Sequence, residues 1–222
     1  MNPPQTALSP AWDDPNRLGH HGLGHGEATG HGFGGPASRR IITGYGFWVY
    51  LLSDIILFSA FFAAFAVLRT ETAGGPSPYG LFDLTNVAIE TGCLLLSSFA
   101  CGMAMVAASV RNHLWTQISL LVTGLLGLVF VVLEVQEFAL LISQGAGPSR
   151  SAFLSSFFAL VGLHGLHVTA GLLWLGTMMA QVWAKGFRPN ILRRLLCFSL
   201  FWHALDIIWV ALFTIVYLMG AV

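Results

Sequence analysis

Eight ionisable side chains lie inside stretches that are otherwise apolar: Asp54, Glu90, Glu134, Glu137, His164, His167, His203 and Asp206. An ionisable group in the hydrocarbon region of a membrane costs free energy unless it is paired, so each of these residues requires a partner or a function. Three pairs are spaced by three residues, which places both members on the same side of a helix. Carboxyl and imidazole groups in such pairs are typical of hydrogen-bonded packing networks, proton relays and metal sites.

The favoured interpretation is a packing network, in which His203 and Asp206 pair on their own helix or across to His164 or His167. A proton-conducting or proton-buffering role for Asp54 and its neighbours remains open, because chains of carboxyl and imidazole groups relay protons through membranes. A metal site has less support, since the depths estimated below from the helical rise place the glutamates well away from the histidines. We therefore predict no metal ligands on this chain.

Five long apolar stretches carry these residues, at about 45–68, 86–110, 118–142, 153–183 and 195–219. Each exceeds the roughly 20 residues that a helix needs to cross a bilayer. Charged residues make up 9% of the chain, whereas soluble domains contain about 25%. The sequence predicts an all-α, polytopic membrane protein, a five-transmembrane-helix bundle over 41–222. A disordered tail rich in histidine, glycine and proline is predicted at 1–40.

A helical rise of about 1.5 Å per residue gives rough depths along each span. The predicted inner layer contains Asp54 with the three histidines and Asp206, and the predicted outer layer contains the three glutamates. Gly162 and Gly165 flank the histidine pair and are expected to admit a neighbouring backbone. The tryptophans near the span ends are expected at the membrane interfaces: Trp48, Trp115, Trp183 and Trp202.

The basic residues give the orientation. A five-span topology places eight of them on one side: Arg17, Arg39, Arg40, Arg111, Lys185, Arg188, Arg193 and Arg194. Only Arg69 and Arg150 fall on the other side, so the N-terminus is predicted in the cytoplasm and the C-terminus outside. A net charge of zero gives no support for a nucleic-acid partner. Internal repeats, which a stand-alone transporter would be expected to show, are not evident.

Three motifs in order resemble subunit III of the haem–copper respiratory oxidases: GFWVYLLSD at 46–54, SSFFALVGLHGLHV at 155–168 and FWHALDIIW at 201–209. The longer family members have seven spans, and this five-span chain resembles the shorter bo-type ubiquinol oxidase subunit III of proteobacteria. The resemblance implies a multi-pass protein of the bacterial inner membrane with a periplasmic C-terminus. Asp54 matches the position of a membrane-embedded glutamate in the family.

The same resemblance implies a complex that oxidises ubiquinol, reduces oxygen to water and pumps protons. This chain would be an accessory subunit that supports assembly, stability and proton supply. Its implied partners are the catalytic subunit I, subunit II, a small subunit IV and membrane lipids, with phospholipid as a possible ligand. The resemblance places the haems and copper on the catalytic subunit, and it implies no cofactor and no catalytic residues on this chain. The alternatives are a subunit of a cytochrome c oxidase, an accessory protein of a nitric oxide reductase, and a stand-alone proton-coupled transporter.

Overall fold

The computed structural model describes residues 39–74 and 84–218 of this chain of 222 residues. It contains five long helices: α1 (Arg39–Leu68), α2 (Leu84–Ser109), α3 (His113–Ser143), α4 (Ala152–Lys185) and α5 (Pro189–Leu212). A π-helical segment, Phe213–Leu218, continues α5. All five helices are long and apolar enough to cross a membrane, and these ranges contain no strand. The predicted five-helix architecture is confirmed, whereas the tail predicted at 1–40 lies outside the described residues up to the start of α1.

Short turns with clear end signals connect the later helices. Asn112 precedes α3, and its side-chain oxygen accepts the Trp115 backbone N–H at 3.2 Å. Ser151 caps α4 in the same way through the Leu154 N–H, also at 3.2 Å. Such caps satisfy backbone donors that the first turn of a helix leaves unpaired. Gly186 ends α4 with φ of 67°, a left-handed conformation that glycine adopts without steric cost.

Helices α2 to α5 form a four-membered bundle. In this bundle α2 contacts α3 and α5, and α4 contacts the same two helices. Helix α1 joins the bundle through large side chains that reach α4. Phe58 of α1 lies 5.3 Å from the His167 ring, and Phe65 lies 6.0 Å from the Phe153 ring, measured between centroids. Contacts divide the chain after Phe47, so this arrangement concerns residues from Trp48 onward, and the preceding unit is described only as the helical start of α1.

Trp202 of α5 occupies the centre of the bundle. A Cβ atom added to Gly127 of α3 or to Gly171 of α4 would lie 2.9 Å from its indole ring. Both helices therefore approach the tryptophan closely because these two positions carry no side chain. The prediction that Trp202 lies at a membrane interface is wrong, since the residue is only 3% exposed.

Candidate functional site

Ser98 of α2 connects His203 and Asp206 of α5. Its Oγ lies 2.6 Å from Nδ1 of His203, and the same hydroxyl interacts with the Asp206 carboxyl group. His203 and Asp206 are half-buried, and Oδ1 of Asp206 is buried without a hydrogen-bond partner among the described residues. The imidazole and the carboxyl group are thus linked through a hydroxyl on the neighbouring helix. This arrangement fixes the rotation of α5 against α2.

His164 lies in the interior of the bundle and is fully buried. Its Nε2 lies 3.3 Å from the Leu205 carbonyl oxygen of α5, and its Nδ1 has no partner in the described part of the chain. The ring packs against Trp209 with a centroid distance of 5.1 Å and against the edge of Phe130 at 5.6 Å. Through these contacts His164 holds α4 to α5.

His167 and Asp54 make their hydrogen bonds close to their own positions. Nδ1 of His167 lies 2.8 Å from the Leu163 carbonyl oxygen of the same helix. The Asp54 carboxyl group interacts with the Tyr50 hydroxyl one turn earlier in α1. Within residues 39–74 and 84–218, no hydrogen bond joins Asp54 to any of the three histidines. Phe58 of α1 lies against both His164 and His167, so the contact of α1 with the histidines is aromatic.

The three glutamates lie together where α2, α3 and the π-helical segment meet. Glu90 of α2 and Glu134 of α3 are 1% and 3% exposed, while Glu137 is half-buried. The hydroxyl of Tyr217 in the π-helical segment donates to Oε2 of Glu137 at 3.4 Å. Glu90 lies within electrostatic range of Glu137, and Glu134 lies within range of both. Three elements therefore direct carboxyl or phenol groups into one region, named below the carboxyl cluster.

Gly165 brings the carboxyl cluster next to the histidine motif of α4. A Cβ atom at Gly165 would lie 2.9 Å from Oε1 and 3.1 Å from Oε2 of Glu134. The expectation that glycines here admit a neighbouring backbone is therefore wrong at Gly165, which admits a side chain instead. Glu134 also lies closer to the histidine motif than the estimated depths suggested, because Gly165 directly follows His164.

Hydroxyl groups that the sequence analysis did not single out provide further bonds between helices. The Trp202 indole N–H donates to Ser97 Oγ at 3.0 Å, and the Trp209 indole N–H donates to Thr91 Oγ1 at 3.0 Å. Ser97 in turn donates to the Thr123 carbonyl oxygen of α3. Thr91, Ser97 and Ser98 all belong to α2, with Thr91 about two turns before the two serines. The spacing of these hydroxyl residues along α2 was the signal in the sequence that could have indicated a polar contact between helices.

The three histidines of the spans do not converge on a common point where haem or copper would bind. One ring nitrogen of His164, of His167 and of His203 faces a carbonyl or hydroxyl oxygen of the protein. Across the residues that the structure describes, no group of three histidine, cysteine, aspartate or glutamate side chains is arranged to hold a metal ion. We therefore derive no chemical step through a metal on this chain.

The fold and these sites define a class: a polytopic helical membrane protein with ionisable residues between its helices. Sequence comparison identifies the family within this class. A profile of the family described as cytochrome c oxidase subunit III matches residues 26–221, nearly the whole chain. The chain belongs to the cytochrome c oxidase subunit III family.

Similar proteins have names that refer to quinol oxidases. The chain is 50% identical over 201 residues to the cytochrome bo(3) ubiquinol oxidase subunit 3 of Pseudomonas aeruginosa, covering 90% of this chain and 93% of the relative. A protein of the same name from Pseudomonas putida is 50% identical over 179 residues, with 81% and 86% coverage. The quinol oxidase subunit 3 of Bacillus subtilis is 45% identical over 179 residues, with 79% and 86% coverage.

Proposed function

We propose that this chain is the accessory subunit III of a proton-pumping ubiquinol oxidase, a complex that oxidises quinol and reduces oxygen to water. The observation that carries the proposal is the 50% identity, over nearly the full length of both chains, to a protein named as a subunit of a ubiquinol oxidase. Membership of the subunit III family supports the role of an oxidase subunit, without indicating the electron donor. The names of these relatives favour quinol over cytochrome c as the electron donor.

The electron-transfer chemistry is assigned to partner subunits. The catalytic subunit I would hold the haems and copper, and subunit II and a small subunit IV would complete the complex. The chain presents five apolar helices, and its membrane-facing surface suits contacts with those subunits and with phospholipid. Its own contribution would be to support the assembly, stability and proton supply of the catalytic subunit.

The intramembrane polar residues are proposed to serve this supporting role in two groups. The inner group contains Asp54, His164, His167, His203 and Asp206, and the outer group contains Glu90, Glu134 and Glu137. Support comes from the bonds that Ser98 and Leu205 make between helices in the inner group. Support for the outer group comes from the bond between Tyr217 and Glu137.

The proposed location is the bacterial inner membrane, with the N-terminus in the cytoplasm and the C-terminus in the periplasm. The asymmetric distribution of arginine and lysine supports this orientation. In the same orientation the turns after α2 and α4 face the cytoplasm. The turns after α1 and α3 then face the periplasm.

Purification through an affinity tag on this chain in a mild detergent tests the proposal. We expect haem absorption bands, a large copurified catalytic subunit, and oxygen consumption with a soluble ubiquinol but not with reduced cytochrome c. The matched control is the untagged strain, processed in the same way. A colourless preparation that contains only this chain would contradict the proposal and favour a transporter.

A cytochrome c oxidase is the second candidate, because the family profile has that description. Turnover with reduced cytochrome c, together with a copurified subunit that carries a dinuclear copper site, would establish this alternative. Nitric oxide consumption without oxygen consumption would instead indicate a nitric oxide reductase.

A further inference from the structure

The carboxyl cluster brings together four acidic groups, three carboxyl groups and one phenol, each of which becomes negatively charged when it loses a proton. Glu90 comes from α2, Glu134 and Glu137 come from α3, and Tyr217 comes from the segment after α5. Tyr217 is completely buried, and it lies within electrostatic range of all three glutamates. Carboxyl groups in an apolar region tolerate negative charge poorly, and several of them together repel one another.

Glu134 provides a second observation, which points to a bound species. Its side chain is 3% exposed, and neither carboxyl oxygen has a hydrogen-bond partner among the described residues. Oε2 of Glu90 is also buried without such a partner. Buried polar atoms are nearly always satisfied, so these three oxygens require hydrogen atoms from another source. The Glu134 carboxyl group itself fills the space that a Cβ atom at Gly165 would occupy, so it lies against the backbone of α4.

Among the described residues, no positively charged side chain of a neighbouring helix acts on Glu134. The ionisable groups that act on Glu134 are Glu90 and Glu137, and in the described residues no lysine, arginine or histidine is among them. His164 precedes Gly165 on α4, but its Nε2 faces the Leu205 carbonyl oxygen. Glu137 and Tyr217 make further interactions beyond their mutual bond, so the argument depends on Glu90 and Glu134. No metal-holding arrangement of three ligand side chains occurs in the described ranges, which favours protons over a metal ion.

We propose that the carboxyl cluster is a proton-binding site, in which protons on Glu90 and Glu134 neutralise the buried carboxyl groups and exchange with the surrounding water. A proton on one carboxyl oxygen turns that oxygen into a hydrogen-bond donor to a neighbouring carboxylate or to a water molecule. The same proton thus removes a charge and satisfies two buried oxygens. This inference depends on the residues of this chain and not on the identity of the electron donor.

Infrared difference spectroscopy of the intact purified complex tests this proposal. Protonated carboxyl groups absorb in a carbonyl-stretch region separate from that of carboxylates, and the band shifts in heavy water. We expect raising the pH to decrease a band in this region and lowering the pH to restore it. Glu134→Gln and Glu90→Gln should each decrease the pH-dependent component, and the double variant should remove it. The control is Glu71→Gln, at an exposed position after α1, which should leave the spectrum unchanged.

Each outcome decides the proposal. Glutamine has the shape of a neutral glutamic acid, so the proposal requires Glu134→Gln to assemble at the wild-type level. Failure of that variant to assemble would therefore contradict a protonated Glu134. A pH-dependent band that persists unchanged in both the Glu90→Gln and the Glu134→Gln complexes would also overturn it. These readouts remain informative even if the donor is cytochrome c, so failure here differs from failure of the proposed function.

Discussion

Hydroxyl groups of α2 carry much of the specific bonding between helices. Ser98, Ser97 and Thr91 each meet a nitrogen of α5, at 2.6 Å for His203 Nδ1 and at 3.0 Å for both indole nitrogens. Hydrogen bonds between membrane helices contribute about 0.6 kcal/mol on average and up to about 2 kcal/mol. A serine or threonine is small enough to keep the helices close. These bonds therefore add directional contacts to an interface formed by packing.

Replacing Ser98 with alanine tests the link to His203 and Asp206. We expect the complex to lose about 1 kcal/mol of stability, because Nδ1 of His203 and the Asp206 carboxyl group would both lose their hydroxyl partner on α2. The measurement is the temperature at which this subunit dissociates from the detergent-solubilised complex. The control is Ser59→Ala, since the Ser59 hydroxyl is exposed and bonds only to the Ile55 carbonyl oxygen of its own helix. Equal dissociation temperatures for both variants would count against the link.

At the scale of helices, packing around Trp202 depends on residues without side chains. Gly171→Ala would place a methyl group 2.9 Å from the indole ring. Overpacking a filled core costs about 1–3 kcal/mol, which exceeds the gain of up to about 1 kcal/mol from a better helix former. We expect a lower dissociation temperature for this variant, measured as above.

Gly176→Ala is the matched control on the same helix. A Cβ atom at Gly176 meets no atom within 4 Å, so this variant should be as stable as the wild type or slightly more stable. If Gly171→Ala behaves like Gly176→Ala, the helices relax around Trp202 and the close approach is not required.

The sequence was sufficient to predict the helices but not their rotations. Apolar length alone placed all five spans, although α3 begins five residues earlier and α5 six residues earlier than the predicted spans. Sequence spacing also predicted that His164 and His167 share one side of α4. However, His164 points to the Leu205 carbonyl oxygen of α5 and His167 bonds within its own helix. A backbone carbonyl or a single serine does not change a hydropathy pattern, so the partners became known only when the helices were placed together.

Trp202 was misassigned because a tryptophan near a span end and one in a bundle centre have the same local sequence.

At the scale of the whole molecule, the two ends of the bundle differ in charge. Lys185 is the last residue of α4 and Arg188 lies in the turn that follows. Arg111 lies in the turn after α2, whereas Arg150 lies in the turn after α3. The proposed orientation predicts the sides from which these turns are accessible. A cysteine at Lys185 should react with a membrane-impermeant maleimide in inverted vesicles only. A cysteine at Arg150 should react in intact spheroplasts.

The three native cysteines provide a background for this experiment, because Cys101 and Cys197 are buried and Cys93 is half-buried. The unmodified chain is therefore the control, and its labelling should be low in both preparations. Reaction of the Lys185→Cys chain in intact spheroplasts would reverse the proposed orientation.

The position of α1 outside the four-helix bundle has a consequence for biosynthesis. Of the five described helices, α1 leaves the ribosome first, but the aromatic contacts of Phe58 and Phe65 are with α4, which is synthesised three helices later. At about 5–20 residues per second, the delay is on the order of ten seconds. During that time α1 resides in the lipid with Asp54 and without its partner helix, while α2 and α3 can pair as soon as they emerge. The helix that is made first is therefore among the last to reach its final contacts.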